Sequence, residues 1–217
     1  MNWWVSAAYQ NDPVLLGSWI IWVVGAITLH ELGHGWMAIR CGDDYPIHSG
    51  HMTLNPLVHI PPMAWLMFAL FGITWGQMPV NPSNFNGRYD EAKVAFAGPL
   101  VNILLFLLCA TGHVLWVSYA TGVGDPVYPN VETFLFVGAM LNCVLVIFNL
   151  LPIPPLDGAH ILSNFSSRFA RLWQSEQGAV FGLMIFAAIF FVGASKIWSV
   201  AREITWTMLR FGESLLP

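Results

Sequence analysis

Residues Val14–Ile39 read VLLGSWIIWVVGAITLHELGHGWMAI, an apolar run that ends in a cluster of ionisable side chains. As an α-helix, these 26 residues would extend for about 39 Å, which exceeds the bilayer core of about 30 Å. We therefore predict that the run is the first transmembrane helix. A charged side chain at the centre of a membrane helix costs about 2.5–3.5 kcal/mol on insertion scales, so those at its end are expected to be paired or functional.

The end of this helix carries the sequence HELGH at residues 30–34. His30 and His34 are four residues apart and project from one face of a helix, where both imidazoles can bind a single metal ion. Glu31 is then placed to act as a general base on water beside that ion. The alternative is a pair of buried histidines that only form hydrogen bonds with their neighbours. The spacing favours a zinc site.

The composition is that of a membrane protein. Of the 217 residues, 56% are hydrophobic and only 9% are charged, whereas soluble domains have about 25% charged residues. The net charge of −4 is spread along the chain without a basic stripe, which argues against nucleic-acid binding. Cys41, Cys109 and Cys143 are far apart in sequence, so they predict neither a thiolate zinc cage nor a disulfide framework. No basic residue precedes Arg40, so we expect the first apolar segment to be retained rather than removed as a secretory signal.

Further apolar runs predict the other membrane helices. Val94–Tyr119 and Val131–Leu151 are long enough to be the second and third spans, and Ala179–Ala194 is a fourth apolar helix. Residues 196–217 place apolar side chains at helical spacing among charges. This tail is expected either to lie along the membrane surface or to extend the preceding helix.

The region between the first two spans is interrupted by helix breakers. Glycine and proline recur from Gly42 to Pro62, and short runs between them, such as His51–Leu54, are predicted to be strands. The segment between Tyr45 and Asn55 is expected to present an extended edge with which another chain can pair. Met63–Gly76 is apolar but too short to span, which is typical of a re-entrant segment. We therefore expect an all-α polytopic membrane protein: three transmembrane helices, a fourth apolar helix, and a membrane-associated short-strand or re-entrant region. Residues 1–217 are predicted to be one domain, with a catalytic core at about 14–162 and a C-terminal helix and tail at 178–217.

Basic residues indicate the orientation in the membrane. If the three clear spans alternate and Met63–Gly76 does not cross, five basic residues fall on one side, namely Arg40, Arg88, Lys93, Arg168 and Arg171. The other three, Lys196, Arg202 and Arg210, fall on the opposite side if the fourth segment crosses once and stops. The segments expected on the opposite side, residues 1–13 and 121–130, contain none. Lysine and arginine are enriched in cytoplasmic loops, so HELGH is expected to face the cytosol.

A catalytic zinc ion usually has a third protein ligand. Asp157 is a candidate because it follows the proline-rich break at residues 152–155, where the third span ends at the same depth as the first. Asp90, Glu91 and Glu176 are alternatives, and an ordinary Asp-Gly turn would also explain Asp157. The loop histidines are further candidate ligands: His48, His51 and His59.

Several short motifs together resemble the site-2 protease family of intramembrane zinc metalloproteases, in its compact form without a PDZ or regulatory domain. They are HELGH at 30–34, LNPLVH at 54–59, PVNP at 79–82, AGPLVN at 97–102 and NLLPIPPLDG at 149–158. The resemblance implies that His30, His34 and Asp157 bind Zn²⁺ and that Glu31 is the catalytic base. It also implies that Asn149 stabilises the oxyanion, a role that requires a hydrogen-bond donor aimed at the developing charge.

Other positions are less clearly assigned by the resemblance. Asn102 is a candidate for the oxyanion role or for a packing role. This chain departs from many compact relatives after residues 59 and 158 and before residue 79. His160 lies at one of these departures, where it is either a neighbour of the site or a substitute ligand.

The function implied by the resemblance is intramembrane proteolysis. The substrates would be single-span proteins of the bilayer, cut within their transmembrane segments to release membrane-anchored regulators, in a cell membrane of prokaryotic type. A membrane protein that binds zinc without catalysis is one rival, but it would have no use for Glu31. A metal transporter is another, but transport requires polar groups across the full depth of the bilayer, and the charges here cluster on one side.

Overall fold

The computed structural model describes residues 4–216, except for the side chains of residues 4, 7, 174, 176 and 179. Every regular element in this range is helical. In chain order the helices are α1 (Trp4–Asn11), α2 (Pro13–Arg40), α3 (Tyr45–His48), α4 (Pro56–His59), α5 (Pro62–Phe71), α6 (Asp90–Tyr119), α7 (Val127–Asn149), α8 (Asp157–Phe165), α9 (Ser167–Gln174), α10 (Glu176–Ala188) and α11 (Ala194–Ser214). A 3₁₀ turn covers Pro82–Asn84, and a π-helical turn, Ile189–Gly193, joins α10 to α11.

The first predicted span is α2. Asp12 caps it through Oδ1, which accepts hydrogen bonds from the backbone N–H groups of Val14 and Leu15, both at 2.9 Å. Pro13 suits the first helical position because the N–H that it lacks would have no partner there. The helix runs through 28 residues, about 42 Å at 1.5 Å per residue. It ends just before Gly42, whose φ of 104° lies in the left-handed region that glycine adopts readily.

Four helical regions are long and apolar enough to cross a membrane: α2, α6, α7 and Val180–Ser214. This confirms the prediction of three spans and a fourth apolar helix. α2, α6 and α7 pack against one another and form the centre of the fold. Small residues allow the close approach: a Cβ at Gly33 would lie 2.8 Å from the carbonyl oxygen of Ala97, and one at Gly138 would lie 2.7 Å from Cys109 Sγ. Such contacts are typical of helix pairs in membranes.

The fourth apolar helix is longer than expected. Instead of ending near residue 194, the helical region continues through the π turn and α11 to Ser214. α11 packs on α6 and α7 through Ala201, Thr205 and Leu209, all fully buried. The C-terminal tail therefore extends the preceding span, one of the two arrangements that the sequence left open.

The prediction of short strands between the first two spans is wrong. Residues 45–48 and 56–59 form the short helices α3 and α4, and no strand occurs among the described residues 4–216. Pro46 and Pro56 lie in the first turns of these helices, where proline is favoured, and the Asn55 side chain accepts a hydrogen bond from the N–H of Leu57. A strand would also need a partner, and every neighbouring segment here is helical or irregular.

The re-entrant candidate consists of α5 and an extended segment. α5 ends at Gly72, whose φ is 74°, and residues 73–81 have no regular structure. Asp43 fixes the end of this segment: its buried carboxylate accepts hydrogen bonds from the N–H of Asn81 at 2.7 Å and from Nδ2 of Asn84 at 2.8 Å. These hydrogen bonds hold the extended segment against the end of α2.

Candidate metal centre

The three predicted zinc ligands lie together at one end of the helix bundle. The Nε2 atoms of His30 and His34 are 3.0 Å apart. The carboxylate of Asp157 lies 3.2 Å from His30 Nε2 through Oδ2 and 3.4 Å from His34 Nε2 through Oδ1. Both histidines are buried, and the Asp157 side chain is 16% exposed. Among the described side chains, no other group of three or more has potential ligand atoms this close together.

Each histidine is held through its other ring nitrogen. His30 Nδ1 lies 2.6 Å from Asn102 Oδ1, and His34 Nδ1 lies 2.7 Å from the carbonyl oxygen of Val94. These oxygens only accept hydrogen bonds, so each Nδ1 carries the hydrogen and donates it. In the neutral ring, Nε2 then presents a lone pair, which is the form that binds a metal.

Three electron-pair donors therefore converge with no hydrogen between them. This explains why Asp157 Oδ2, although close to His30, has no hydrogen-bond partner among the residues that the structure describes. In a tetrahedral zinc site with bonds of 2.0–2.2 Å, neighbouring ligand atoms lie about 3.3–3.6 Å apart. The observed separations of 3.0, 3.2 and 3.4 Å are close to these values. The donor set fits Zn²⁺, and its assignment as the ligand set stays a prediction.

Glycine brings α6 against the imidazoles. An ideal Cβ at Gly98 would lie 2.5 Å from His30 Nε2 and 2.6 Å from His34 Cε1. A side chain at this position would occupy the space into which the ligand atoms point. Glycine is therefore required here for space.

Asp157 comes from a different part of the fold. It is the first residue of α8, where the helix dipole favours a carboxylate. The next residue, Gly158, packs against the carbonyl of Leu150, and a Cβ there would collide with that oxygen. The Asp-Gly pair is thus needed to bring the carboxylate back to the end of α2.

Glu31 and Asn149 line a cavity of about 830 Å³ together with the three clustered side chains. Glu31 is buried, with 8% of its surface exposed, whereas Asn149, the last residue of α7, is half-buried. Gly76 lies against the Glu31 carboxylate, because a Cβ at Gly76 would be 2.5 Å from Oε1. Apolar side chains from α10 and from the π-helical turn that follows it also line the cavity. The cavity combines an apolar lining with one polar end.

The alternative acidic ligands lie elsewhere. The Asp90 carboxylate accepts hydrogen bonds from Lys93 Nζ at 2.7 Å and from the N–H of Gly87 at 2.6 Å. Glu91 lines the cavity but lies 3.5 Å from Nδ1 of His160. The side chain of Glu176 lies outside the described part of the chain. His160 is a neighbour of the cavity and not a member of the clustered group.

The loop histidines and the cysteines also lie outside that group. His48 pairs with Asp44 at the surface at 3.1 Å, and His51 Nδ1 lies 3.0 Å from the carbonyl oxygen of Ser49. His59 is fully buried and donates to the carbonyl of Thr53 at 2.7 Å. All three cysteines are buried free thiols. Burial, with the nearby Asp90 carboxylate, raises the pKa of the Cys41 thiol, so it is unsuited to act as a nucleophile.

Sequence reasoning identified the clustered residues but missed what supports them. The Val94 carbonyl gives no sequence signal, since every residue has one. Nothing in the sequence distinguished Gly76 from other loop glycines or marked it as a neighbour of Glu31. Asn142 gave a signal that was not used: it is a polar amide in an apolar helix, and it turns out to be fully buried beside Asn102.

Comparison with known proteins identifies the family. The family model for Peptidase family M50 matches residues 112–193, a range that contains Asp157 and Asn149 but not HELGH. "Putative zinc metalloprotease YwhC" of Bacillus subtilis is 30% identical over 203 residues, which cover 89% of this chain and 86% of that protein. "Putative zinc metalloprotease Rip2" of Mycolicibacterium smegmatis is 30% identical, covering 71% of this chain and 61% of the relative. "Zinc metalloprotease MJ0392" of Methanocaldococcus jannaschii is 24% identical, covering 76% and 39%.

No solved structure matches this chain. The similarity to YwhC extends over most of both proteins, and the motif residues, the apolar helices and the cluster of His30, His34 and Asp157 agree with it. The chain belongs to peptidase family M50, the site-2 protease family, and is an integral membrane zinc metalloprotease.

Proposed function

We propose that this protein is an intramembrane endopeptidase that cuts the transmembrane segments of membrane-anchored, single-span proteins and so releases regulators from the membrane. The observation that carries the proposal is the convergence of three electron-pair donors beside Glu31. The donors lie in a cavity lined mainly by apolar side chains from membrane-spanning helices. A transmembrane peptide could enter such a cavity without leaving an apolar environment.

The residues divide the chemistry among them. His30, His34 and Asp157 hold zinc, which supplies Lewis acidity, so that water can attack a peptide carbonyl near neutral pH. Glu31 accepts the proton of the attacking water and returns a proton to the leaving amine. Asn149 donates a hydrogen bond from its side-chain amide to the oxygen on which negative charge develops.

An extended edge for the substrate is available beside Glu31. Within the described residues, Gln77 is the one member of the segment Ile73–Val80 whose N–H donates to a backbone carbonyl, that of His59 at 2.9 Å. Among the described residues, the other N–H groups of the segment, at every position except Pro79, make no hydrogen bond to a backbone carbonyl, so they can pair with an unwound substrate chain, as in β-augmentation. Gly76, which lies against the Glu31 carboxylate, belongs to this segment. A peptide paired there would have its backbone next to the proposed base.

The proposed orientation places the site at the cytosolic side of a prokaryotic cell membrane. Five of the eight basic residues lie toward the end of the bundle that holds the clustered side chains: Arg40 ends α2, Arg88 and Lys93 flank the start of α6, and Arg168 and Arg171 belong to α9. The other three, Lys196, Arg202 and Arg210, belong to α11. The positive-inside rule supports a cytosolic location of that end. The relatives reported above come from bacteria and an archaeon, which supports the prokaryotic assignment.

The decisive experiment compares two carboxylates that line the same cavity. Purified wild-type protein, Glu31→Gln and Glu91→Gln are incubated in proteoliposomes with a single-span reporter protein, and cleavage and zinc content are measured. Glu31→Gln should keep its zinc and lose turnover by about 10²–10⁴-fold, the usual contribution of a general base. Glu91→Gln should keep both, because Glu91 lies beside His160 and outside the metal group.

A chelator provides the second arm of the experiment. Removal of zinc should abolish cleavage by the wild-type protein, and adding zinc back should restore it. Cleavage that survives complete zinc removal, or full turnover in Glu31→Gln, would refute the proposed mechanism. Zinc-loaded protein that cuts no member of a panel of transmembrane reporters would favour the rival of a non-catalytic zinc-binding protein.

A further inference from the structure

A chain of hydrogen bonds connects His30 to the backbone of α7 through two buried amides. Asn102 on α6 and Asn142 on α7 are both fully buried. His30 Nδ1 lies 2.6 Å from Asn102 Oδ1, Asn102 Nδ2 donates to Asn142 Oδ1 at 2.9 Å, and Asn142 Nδ2 donates to the carbonyl of Gly138 at 2.9 Å. The chain therefore joins the three central helices α2, α6 and α7.

The Gly138 carbonyl, at the end of the hydrogen-bond chain farthest from His30, determines which group donates in each of these hydrogen bonds. The Gly138 carbonyl only accepts, so the NH₂ group of Asn142 must face it. The oxygen of Asn142 then faces Asn102 and requires a donor, which turns the NH₂ group of Asn102 toward α7. The oxygen of Asn102 is left facing His30, and because it only accepts, the hydrogen of the neutral imidazole must be on Nδ1.

We infer that Asn142 is a positioning residue that acts through Asn102 to keep His30 in the Nδ1–H tautomer, and so keeps Nε2 free to bind zinc. The inference rests on the proposed role of His30 as a ligand. It assigns a function to a residue that does not touch the metal group. In an apolar interior each of these polar groups needs a partner, so an amide cannot rotate by 180° without breaking two hydrogen bonds.

Removing the hydrogen-bond acceptor at position 142 should allow His30 to adopt the other tautomer. In Asn142→Leu, Asn102 can rotate and present its NH₂ group to His30 Nδ1. That nitrogen would then accept, the hydrogen would move to Nε2, and the ring would have to change tautomer before it could bind a metal. Asn142→Asp is the matched variant, since its neutral carboxyl group keeps the side-chain shape, accepts from Asn102 Nδ2 through its carbonyl oxygen and donates to the Gly138 carbonyl through its O–H.

The test reads the tautomer directly in the metal-free protein. The full chain is labelled with ¹⁵N-histidine, and its spectrum is recorded at a pH well above the usual imidazole pKa. The His30 signals are assigned by their absence in His30→Gln. Zinc affinity is measured in parallel by competition with a chromophoric chelator. Thr205→Val is the control for buried polar loss, because Thr205 is also fully buried but donates to the Ala201 carbonyl on α11.

The wild-type protein, Asn142→Asp and Thr205→Val should show His30 as Nδ1–H and bind zinc with similar affinity. Asn142→Leu should show a shift toward Nε2–H and bind zinc about 10- to 100-fold more weakly, as expected for loss of a group that orients a ligand. Wild-type His30 found as Nε2–H would overturn the inference without any variant. A leucine variant with unchanged tautomer and affinity, or an aspartate variant that loses both, would also overturn it. Because the tautomer is read without metal or substrate, a failure of the proposed protease activity would be seen separately.

Discussion

Substituting Gly98 by alanine tests whether the space between the two imidazoles is reserved for a metal ion. The added Cβ would lie 2.5 Å from His30 Nε2 and 2.6 Å from His34 Cε1. Ordinary contacts between non-bonded heavy atoms are about 3.5 Å, so the rings would have to retreat by about 1 Å. Metal sites tolerate deviations of about 0.2 Å in ligand distance. The required movement is about five times larger than that tolerance.

We therefore expect Gly98→Ala to lower zinc affinity by about 100-fold or more, beyond the range seen when only a supporting partner is lost. The helix itself should not suffer, because alanine is more favourable than glycine inside a helix by about 1 kcal/mol. The assay is competition for zinc with a chromophoric chelator on purified protein. A melting curve should show that the variant is folded.

Gly112→Ala is the matched control on the same helix, α6. A Cβ at Gly112 would meet only the flexible end of Leu135, at 3.3 Å, so zinc affinity should be unchanged. Wild-type affinity in Gly98→Ala, or an equal loss in both variants, would refute the reasoning.

Three further substitutions separate the parts of the site. Gly76→Ala should leave zinc content unchanged but slow cleavage about tenfold or more, because its Cβ would lie 2.5 Å from Glu31 Oε1 and displace a group that moves protons; equal loss of zinc would contradict this. Asp43→Ala should lower the free energy of unfolding by about 1–3 kcal/mol, since the N–H of Asn81 and Nδ2 of Asn84 both lose a buried, charged acceptor; an unchanged melting temperature would show that these hydrogen bonds contribute nothing to stability. Asp157→Ala should lower zinc content in purified protein, and full zinc occupancy would send the search for the third ligand back to the other acidic residues.

The parts of the fold that could be predicted are those set by local sequence. A long apolar run determines a membrane helix by itself, and two histidines four residues apart must share a face whatever the tertiary structure is. The prediction of strands near His51–Leu54 was wrong because it considered the residues of this run alone and not the short helices that flank it. Residues 45–48 and 56–59 form short helices on either side of the run, and no strand among the described residues is available to pair with it.

The supporting contacts could not be predicted for a different reason. α6 and α7 are apolar all round, so their sequences contain no amphipathic face that would show which residues point toward α2. Asn102 was a candidate for the oxyanion role or for packing, but its hydrogen-bond partners could only be identified once the rotation and crossing of both helices were known. The position of Asp157 near the histidines was predictable because the proline-rich break before it marks the depth at which the chain leaves the helix; its role as a ligand stays a prediction.

The two histidines are oriented by different kinds of groups, and this has a consequence for how the protein can change. His34 is oriented by the main-chain carbonyl of Val94, which persists through any substitution at that position. His30 depends on the side chain of Asn102, which single-nucleotide changes can alter. We therefore expect mutation to alter metal affinity, and even metal preference, through the orientation of His30, while the orientation of His34 stays constant. Selection experiments for altered metal use should accumulate changes at positions 102 and 142 long before they touch the backbone near residue 94.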